Sequence, residues 1–488
     1  MTEWLRCMAA NHETGVQIPI LPFIKRGFLM KIYSTMSRKK EELKVISQNK
    51  VKLFVCGPTV YHDAHIGHGR TYIFFDVIKR YLKFIGYSVF YIQNITDIDD
   101  KIIKKAELSK SEPNDIAKIF EKRYLEDMYL LNVTSVNKYA RTTDYIDEII
   151  NQIERIMARG FAYETSDGIY FDVKKFKDYG KLSNVDIKEL ENHREIEEVN
   201  KKNPQDFVLW KKRRSSSEPV WDSPWGKGRP GWHIEDTAIT EYYFGNQYDI
   251  HGGGLDLMFP HHEAEIAQLK AINDKAIVNY WMHTGFLNVS GFKMSKSLNN
   301  FVTIRDLLKE VSTQSFRFFV ISSHYRSHVE FSKEDIVKCE KALRRIKNFT
   351  KILNERNIYE NIKPKEDIVY EPLKKCREEF FKGMNDDFNT PVALSAIFSF
   401  INDSKKDLID DKIPMSDIIN ALIFFDEASI ILGIDFNSEL DIYKKDSCSE
   451  DLLNLINDVR KKLREDKNYE LSDEIRDKLH DLGIDIND

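Results

Sequence analysis

Residues 51–82 of the chain read VKLFVCGPTVYHDAHIGHGRTYIFFDVIKRYL, and the pattern of this stretch predicts the fold. The run from Val51 to Cys56 is apolar and stops at a Gly-Pro pair, as a buried strand does where it meets a turn. From Gly69 onward the apolar residues recur at helical spacing, which predicts a helix. Residues 89–92 then form a second apolar run. The order strand, loop, helix, strand predicts two parallel strands joined by a right-handed crossover.

The composition is typical of a folded globular protein. The chain has 488 residues, of which 42% are hydrophobic and 31% charged. This length suggests about three domains, and the composition excludes collagen-like, disordered and disulfide-framework proteins. Lys and Arg number 73 and Asp and Glu number 78, so the formal net charge is −5. The protein is therefore not one of the strongly basic proteins that cover nucleic acid, although a local basic stripe is compatible with this charge.

We expect a cytoplasmic protein without a membrane segment. No apolar run approaches the roughly 18 residues that span a bilayer. The best run, residues 421–434, is interrupted by Asp426 and Glu427 and predicts a buried helix instead. Prolines and charged residues interrupt the N-terminal apolar stretch, which therefore does not resemble a signal peptide. The five cysteines are scattered along the chain, and this fits a reduced compartment better than a secreted scaffold.

The first group of candidate functional residues is His65-Ile66-Gly67-His68, between the first strand and the helix. Backbone N–H groups at a helix N-terminus attract phosphate, and a glycine lets the phosphate approach closely. Two imidazoles at this position can donate hydrogen bonds to a developing pentacovalent phosphate. A four-residue match alone is weak, because two histidines that cap a loop would give the same pattern.

The second group is Lys293-Met294-Ser295-Lys296-Ser297, which follows a turn at Gly291. Two ammonium groups on a flexible loop can neutralise a triphosphate and follow its charge as pyrophosphate leaves. The alternative is a solvated basic loop, the commoner use of lysines. The two motifs together, with a parallel α/β pattern between them, are far more specific than either motif alone.

A third group has the residue types of a metal site. His261 and Glu265 are four residues apart at the start of an apolar-patterned helix, so both project from one helical face. An imidazole and a carboxylate at this spacing suit zinc, to which Cys56 could add a thiolate and Asp236 an oxygen. A polar pair that caps the helix is the commoner arrangement when this segment is considered alone.

The fourth group is His251-Gly252-Gly253-Gly254-Leu255-Asp256. Three glycines after an apolar run permit close approach of the backbone to a ligand, and Asp256 could accept hydrogen bonds from ribose hydroxyls. A glycine-rich turn by itself is a weak signal.

Taken together, these motifs resemble those of the class I aminoacyl-tRNA synthetases, and most closely the cysteinyl-tRNA synthetase family. The resemblance runs from about Met30 to the C-terminus, and residues 1–29 lie outside it. The matching stretches are CGPTVYHDAHIGHGRTYIFFDVIKRYL from Cys56, NITDIDDKII from Asn94, NPQDFVLWK from Asn203, PWGKGRPGWHIE from Pro224, HGGGLDLMFPHHEAEIAQ from His251, GFKMSKSLNNF from Gly291, HYRSHVEFS from His324 and DDFNTPVA from Asp386.

The resemblance implies an α/β fold: a Rossmann-like parallel-sheet catalytic domain with an inserted module, followed by a C-terminal α-helical bundle. The implied segments are an N-terminal extension (1–29), the catalytic domain (30–100 and 206–290), an inserted connective module (101–205), a connecting domain with the lysine loop (291–345), a tRNA-binding helical bundle (346–440) and a small element on the anticodon side (441–488).

The resemblance also implies the reaction and its partners. L-Cysteine and ATP, with Mg²⁺, would give cysteinyl-adenylate and pyrophosphate, and the cysteinyl group would then pass to the 3′ end of tRNA(Cys). The protein is expected to be a monomer. The implied catalytic residues are His65, His68, Lys293 and Lys296. The implied ATP-binding residues are Gly57, Pro58, Thr59, His65, Gly67, His68, Gly253, Gly254, Asp256, His283, Gly285, Leu287 and Lys296. The implied amino-acid-binding residues are Cys56, Gly57, Thr96 and Trp232.

The family holds a zinc ion with two cysteines, a histidine and a glutamate, and this zinc binds the substrate thiolate. Cys56, His261 and Glu265 match three of these ligands, whereas Asp236 stands where the family usually has the second cysteine. Aspartate is a competent but harder ligand. The presence of Asp236 leaves three outcomes open: weaker zinc binding, a different metal or an empty site. We expect one zinc per chain with reduced affinity.

The C-terminal part departs from the family pattern as well. Residues 460–484 resemble the small anticodon-reading element, but the chain lacks the Gly- and Trp-containing tail of many members. A basic stripe on a predicted helix is our candidate for contact with the tRNA backbone, and a solvated helix face is the equal alternative. The stripe consists of Lys338, Lys341, Arg344, Arg345, Lys347 and Lys351.

Two other functions are compatible with the same scaffold. The first is a ligase that passes the cysteinyl-adenylate to an amino-sugar precursor, and the roughly 150 helical residues after His328 argue against it. The second is a catalytically dead paralogue that binds tRNA, against which the intact histidine and lysine motifs argue.

Overall fold

A computed structural model shows the architecture of the protein. It describes residues 29–185, 200–215, 218–273, 277–289, 291–293, 301–356, 364 and 367–438, together with scattered residues between 460 and 478. The N-terminal extension, Lys296 and most of the predicted C-terminal element therefore lie outside the described residues. No helix in the described part of the chain is long and apolar enough to cross a membrane.

A five-stranded, entirely parallel sheet forms the centre of the catalytic part, in the order β11-β10-β3-β4-β5. The first half of the chain supplies β3, β4 and β5, and the second half adds β10 and β11 on the other side of β3. The direction of strand addition thus reverses between β3 and β10, and ligands bind at such switch points in open α/β sheets. These strands are β3 (Lys50–Val55), β4 (Ser88–Ile95), β5 (Lys138–Arg141), β10 (Tyr248–Gly254) and β11 (Val278–Thr284).

The predicted helix and its crossover are confirmed. Helix α1 (Ile66–Phe84) begins three residues earlier than the apolar spacing indicated, because His65 caps its N-terminus. Its apolar face packs on the sheet so closely that a Cβ atom on Gly252 would lie 2.2 Å from the ring of Phe75. The close packing of α1 on β10 fixes where the start of the helix lies relative to the switch point.

Further elements surround the central sheet. They are the hairpin β1 (Lys31–Ser34) and β2 (Lys39–Glu42), and helices α2 (Asp100–Ser109), α3 (Pro113–Leu130), α4 (Ile146–Ala158), α5 (Ile234–Phe244) and α6 (Glu263–Ile272). A short sheet of β12 (Leu287–Val289), β13 (Phe292–Lys293) and β14 (Val329–Phe331) follows. Beside it lie the helices α7 (Ile304–Leu308) and α8 (Thr313–Ile321).

A separate four-stranded antiparallel sheet lies within the predicted inserted module and extends beyond it. It consists of β6 (Ala162–Glu164), β7 (Gly168–Phe171), β8 (Phe207–Lys212) and β9 (Gly228–Pro230). The sequence Asp167-Gly168, between Tyr163 and the apolar run Ile169-Tyr170-Phe171, predicts a hairpin, and the structure confirms it between β6 and β7. In contrast, β5 was expected in the module but belongs to the central sheet, where it pairs with β4. A four-residue strand with charged ends carries too little apolar pattern to be assigned from sequence.

The C-terminal part is helical, as predicted. It contains α9 (Lys333–Arg356), α10 (Glu371–Asn385), α11 (Thr390–Ile409) and α12 (Met415–Leu432). Thr303 with Asp306 and Ser332 with Asp335 have the spacing of an N-cap and its third residue, which predicts two helix starts. Capping hydrogen bonds confirm both. The buried helix expected near residues 421–434 corresponds to α12.

The basic stripe lies on α9, but the assignment of Lys347 to it is wrong. The Lys347 ammonium is buried and donates to the carbonyl oxygens of Asp435 (2.8 Å) and Ser438. It therefore holds the chain after α12 and is not available to a phosphate. Lys338 and Arg344 pair with Asp335 and Glu340 on the same helix, so part of the remaining charge is neutralised locally.

Candidate active site

A cleft of about 570 Å³ opens at the switch point of the central sheet, where the carboxyl ends of β3, β4 and β10 meet. It brings together most of the residues that the sequence assigned to the site, although these are spread over more than 200 positions. The assigned residues that line it are Cys56, Gly57, Pro58, Thr59, His65, Gly67, His68, Thr96, Trp232, Asp236, Gly254, Asp256, His261, Gly285 and Leu287.

One end of the cleft is formed by the N-terminus of α1. His65 and His68 form a reciprocal capping box, in which each imidazole accepts a hydrogen bond from the other residue's backbone N–H. Their rings stack with centroids 3.8 Å apart. Burial lowers the pKa of His68 to about 4, although the Asp256 carboxylate partly offsets this shift. His68 is therefore neutral at physiological pH, and this end offers a neutral imidazole and a helix N-terminus to an anion.

The backbone after β3 lies very close to β4, and a glycine is required there. The Gly57 N–H donates to Oδ1 of Asn94 at 2.5 Å, and a Cβ atom on Gly57 would lie 1.7 Å from the Asn94 carbonyl oxygen. Any other residue at position 57 would push this turn away from the sheet. The side chain of Asn94, which the sequence analysis did not assign, thus sets the position of the turn that carries Cys56.

The deep end of the cleft is walled by Thr96, Trp232 and the residues around Asp236. The Thr96 hydroxyl donates to Oε1 of Glu235 at 3.4 Å. The Glu235 carboxyl group, buried like that of Asp236, therefore lies behind Thr96. The Trp232 indole is 40% exposed and stacks on the ring of His261 with centroids 4.8 Å apart. An aromatic wall beside polar groups can hold a small amphipathic ligand in a fixed orientation.

Four candidate metal ligands converge on the floor of this deep end. Cys56, Asp236, His261 and Glu265 are all buried, and their donor atoms lie within 4.8 Å of one another. His261 Nε2 lies 2.9 Å from Asp236 Oδ2 and 3.2 Å from Glu265 Oε1, and Cys56 Sγ lies 3.8 Å from Glu265 Oε1. Ligands of a tetrahedral zinc ion are separated by about 3.3–3.8 Å, so a small adjustment would place these atoms around one ion.

The electrostatics of the floor also fit a cation. Asp236 and Glu265 are completely buried, yet Asp236 Oδ1 and Glu265 Oε2 have no hydrogen-bond partner among the described residues. Burial, followed by the Glu265 and Asp236 carboxylates, raises the pKa of the Cys56 thiol well above its ordinary value. A buried carboxylate that is only partly satisfied is costly, and a divalent ion with these donors as ligands removes that cost. The donor set present therefore fits zinc.

The structure adds two histidines that the sequence analysis did not assign. His251 Nε2 and His262 Nε2 lie 3.3 and 3.1 Å from Cys56 Sγ, and with Glu265 they form a second group of potential ligands. His262 Nδ1 in turn contacts His283 Nε2 at 2.8 Å. Both histidines stand in motifs that were recognised, but the register between β3 and β10 brings His251 to Cys56, and His262 reaches it from the start of α6.

Not every assigned residue lies on the cleft. Gly253, Glu265 and His283 are not among the residues that line it, and the His283 ring contacts His262 and Thr35. Lys293 lies in β13, while Lys296 falls outside the described residues. The catalytic, ATP-binding and amino-acid-binding roles of the assigned residues all stay predictions.

The segment that leaves the lysine loop is joined to the start of α1. We call residues 301–305 the return segment. The Ile66 N–H donates to the Val302 carbonyl at 3.1 Å, and the Ile304 N–H donates to the Ala64 carbonyl at 2.9 Å. The Phe301 ring contacts the His65 ring edge-on at 5.2 Å. These contacts were missed because no short-range pattern links residues more than 200 positions apart.

Comparisons with known proteins agree with this geometry. Residues 42–341 match the family model described as "tRNA synthetases class I (C) catalytic domain", and residues 379–437 match a DALR domain. The chain is 44% identical over 467 residues to a cysteine–tRNA ligase of Thermococcus gammatolerans. The alignment covers 94% of this chain and 97% of the relative. It is 46% identical to cysteine–tRNA ligases of Methanococcus maripaludis and Pyrococcus abyssi, over 94% of this chain and 97% of each relative.

Solved structures show the same fold at low sequence identity. A methionyl-tRNA synthetase of Mycobacterium tuberculosis in complex with methionyl-adenylate superimposes with a TM-score of 0.59 at 15% identity, covering 78% of this chain and 89% of that chain. A leucyl-tRNA synthetase of Agrobacterium radiobacter in a ternary complex gives a TM-score of 0.61 at 11% identity, over 80% of this chain and 85% of that chain. The α/β catalytic fold with a helical C-terminal domain is confirmed, and the chain belongs to the cysteine–tRNA ligase family of class I aminoacyl-tRNA synthetases.

Proposed function

We propose that this chain activates L-cysteine with ATP and transfers the cysteinyl group to the 3′ end of tRNA(Cys). The observation that carries the proposal is the composition of the cleft: an anion-binding helix N-terminus at one end and a buried Cys, Asp, His and Glu group at the other. The first end suits the triphosphate of ATP, and the second suits a thiol. Family membership supports the same assignment.

In the activation step, the residues at the α1 N-terminus act on the phosphates. His65 and His68 donate hydrogen bonds to the α-phosphate as the cysteine carboxylate attacks it, because both rings lie beside the helix N-terminus. Lys296, assisted by Lys293, binds the pyrophosphate that leaves, with Mg²⁺ on the phosphates. Gly57, Pro58, Thr59, Gly67, Gly254, Gly285 and Leu287 contact the nucleotide, and Asp256 accepts from its ribose.

At the deep end, Thr96 and Trp232 hold the amino acid. Zinc, held by Cys56, Asp236, His261 and Glu265, would supply a Lewis acid that favours a thiolate over a hydroxyl, which stays protonated at neutral pH. The chain's own residues position the amino acid and exclude water from this floor. Discrimination against serine would then require no editing step.

The role of Asp236 is testable by metal retention, which does not depend on activity. We expect the purified protein to contain about one zinc per chain and to lose it to a chelator faster than an Asp236→Cys variant does, because thiolate is the softer ligand. Glu263→Gln is the matched control, since Glu263 is buried nearby but accepts from Ser183 and belongs to neither donor group. Equal zinc loss from the Asp236→Cys variant and the unmodified chain would show that Asp236 is not a ligand.

The activity itself is tested by cysteine-dependent exchange between ATP and pyrophosphate. We expect exchange with cysteine but not with serine, and loss of exchange in a folded Lys296→Ala variant. Aminoacylation of tRNA(Cys), measured in parallel, separates the two steps. An absence of exchange with every amino acid would contradict the proposal and favour the dead paralogue.

The amino-sugar ligase is not favoured, because the helical part that such relatives lack is present and matches a DALR domain. We further propose that the protein works as a cytoplasmic monomer. Cysteine-dependent exchange followed by transfer to an amino sugar rather than to tRNA would favour the amino-sugar ligase over the tRNA ligase.

A further inference from the structure

A second cavity, of about 270 Å³, lies between the catalytic part and the helical bundle, and no step of the proposed reaction uses it. The β1–β2 hairpin forms one wall, the C-terminal end of α1 forms the second, and α10 forms the third. Its size is close to the lower end of small-molecule sites, about 300 Å³.

Two buried side chains in this wall each carry a polar atom that has no hydrogen-bond partner in the described part of the chain. The Tyr81 hydroxyl belongs to a completely buried side chain, and its oxygen has no hydrogen-bond partner among the described residues. The Arg377 side chain is about 95% buried and uses Nη1 to donate to Glu427 at 2.7 Å, but Nη2 has no partner in the same part of the chain. A buried donor without an acceptor costs about 1–3 kcal/mol, so a ligand that accepts hydrogen bonds from these atoms would remove this cost.

The rest of the wall defines the body of the ligand. Leu43, Ile85 and Phe381 give it an apolar surface, and Phe381 also lies 5.7 Å from the Arg377 guanidinium. Lys374 and Arg377 are balanced by Glu42 and Glu378, so the wall does not select strongly for net charge. What it selects for is an apolar molecule whose polar end accepts hydrogen bonds.

We propose that this cavity binds a small aromatic or aliphatic molecule that carries a carboxylate or amide carbonyl, which accepts from the Tyr81 hydroxyl and from Arg377 Nη2. The catalytic part and the helical bundle both contribute to the wall, so the ligand is held between them. The same helix, α1, carries His65 and His68 at its other end. The proposal does not rest on the proposed reaction.

The test is calorimetric titration of the full-length protein with three matched probes. They are 3-phenylpropionate, 3-phenylpropionamide and 3-phenylpropylammonium, which share one apolar body and differ at the polar end. We expect the first or the second to bind with a dissociation constant of about 1 mM or below, and the ammonium, which has no acceptor, to bind at least tenfold more weakly. A stronger signal from the propionate identifies a carboxylate ligand, and equal signals identify a carbonyl ligand.

Two variants locate the binding. Tyr81→Phe removes only the unpaired hydroxyl and should weaken the acceptor probes about three- to tenfold. Ile368→Trp fills the rim of the cavity and should abolish binding. Both positions lie outside the proposed catalytic machinery, and retained pyrophosphate exchange shows that each variant is folded. No binding of either acceptor probe at about 10 mM, or equal binding by both variants and the unmodified chain, would overturn the proposal.

Discussion

His68 illustrates how a single residue serves both the fold and the chemistry. It closes the capping box of α1, and its ring lies on the cleft. A neutral imidazole donates a hydrogen bond without adding charge, and burial keeps the pKa of this ring near 4. The state of the residue at physiological pH thus follows from its surroundings rather than from the ordinary pKa of histidine.

This shift predicts a pH dependence of stability. Between pH 6.5 and 4 the unfolded chain binds a proton at His68 that the folded chain does not, so the free energy of unfolding falls as the pH falls. From pH 6.5 to 5 the loss should be about 1.5 kcal/mol. A His68→Gln variant should lack this component, because glutamine keeps the capping box without titrating. Urea unfolding at the two pH values measures the difference, and parallel losses in both proteins would refute the shift.

At the scale of elements, the return segment is the feature with the clearest consequence. Its two backbone hydrogen bonds and the Phe301 ring join the lysine loop to the start of α1. Phe301 also contacts the His62 ring edge-on at 5.3 Å, and His62 stacks on Phe120. The return segment is therefore held against the α1 end of the cleft by aromatic packing as well as by its backbone hydrogen bonds.

We predict that Phe301→Leu lowers kcat for pyrophosphate exchange by about tenfold while the KM for cysteine changes less than twofold. The substitution removes ring contacts at the phosphate end only, and misplacement of about 1 Å can cost this much or more. Phe90→Leu is the control, because that ring is half-exposed and packs against Tyr243 and Phe244. An unchanged kcat, or a KM effect as large as the kcat effect, would show that Phe301 does not position this end.

The elements also show what sequence can predict. Long periodic segments such as α1 and the strong turn at Asp167-Gly168 were predicted, because their signals are local. The short strand β5 and the return segment were not, since neighbours distant in the chain determine them. Likewise, the Cys56, Asp236, His261 and Glu265 group was expected from the family resemblance, whereas the approach of His251 to Cys56 depends on strand register and that of His262 on where α6 begins.

For the whole molecule, one buried arginine joins the catalytic part to the helical bundle. Arg317 on α8 is completely buried and donates to the carbonyl oxygens of Leu131 and Asn132 after α3 and of Leu432 at the end of α12, at 2.7 to 3.1 Å. It also pairs with Asp76 on α1. Burial opposes ionisation of Asp76, but Arg80 and Arg317 hold its pKa below the ordinary value.

Removal of this arginine should therefore destabilise the protein strongly. We predict that Arg317→Met lowers the free energy of unfolding by about 3–5 kcal/mol, because it removes one of the two arginines paired with the buried Asp76 carboxylate and takes this donor from the carbonyl groups of Leu131 and Leu432. Gly433→Ala should also destabilise, since φ is +67° there and a Cβ atom would lie 2.3 Å from Arg317 Nη2. Arg344→Met is the matched control: its pair with Glu340 is exposed on α9, and its loss should cost less than about 1 kcal/mol. Urea unfolding compares the three variants, and a similar cost for Arg317→Met and Arg344→Met would mean that Arg317 does not hold the two parts together.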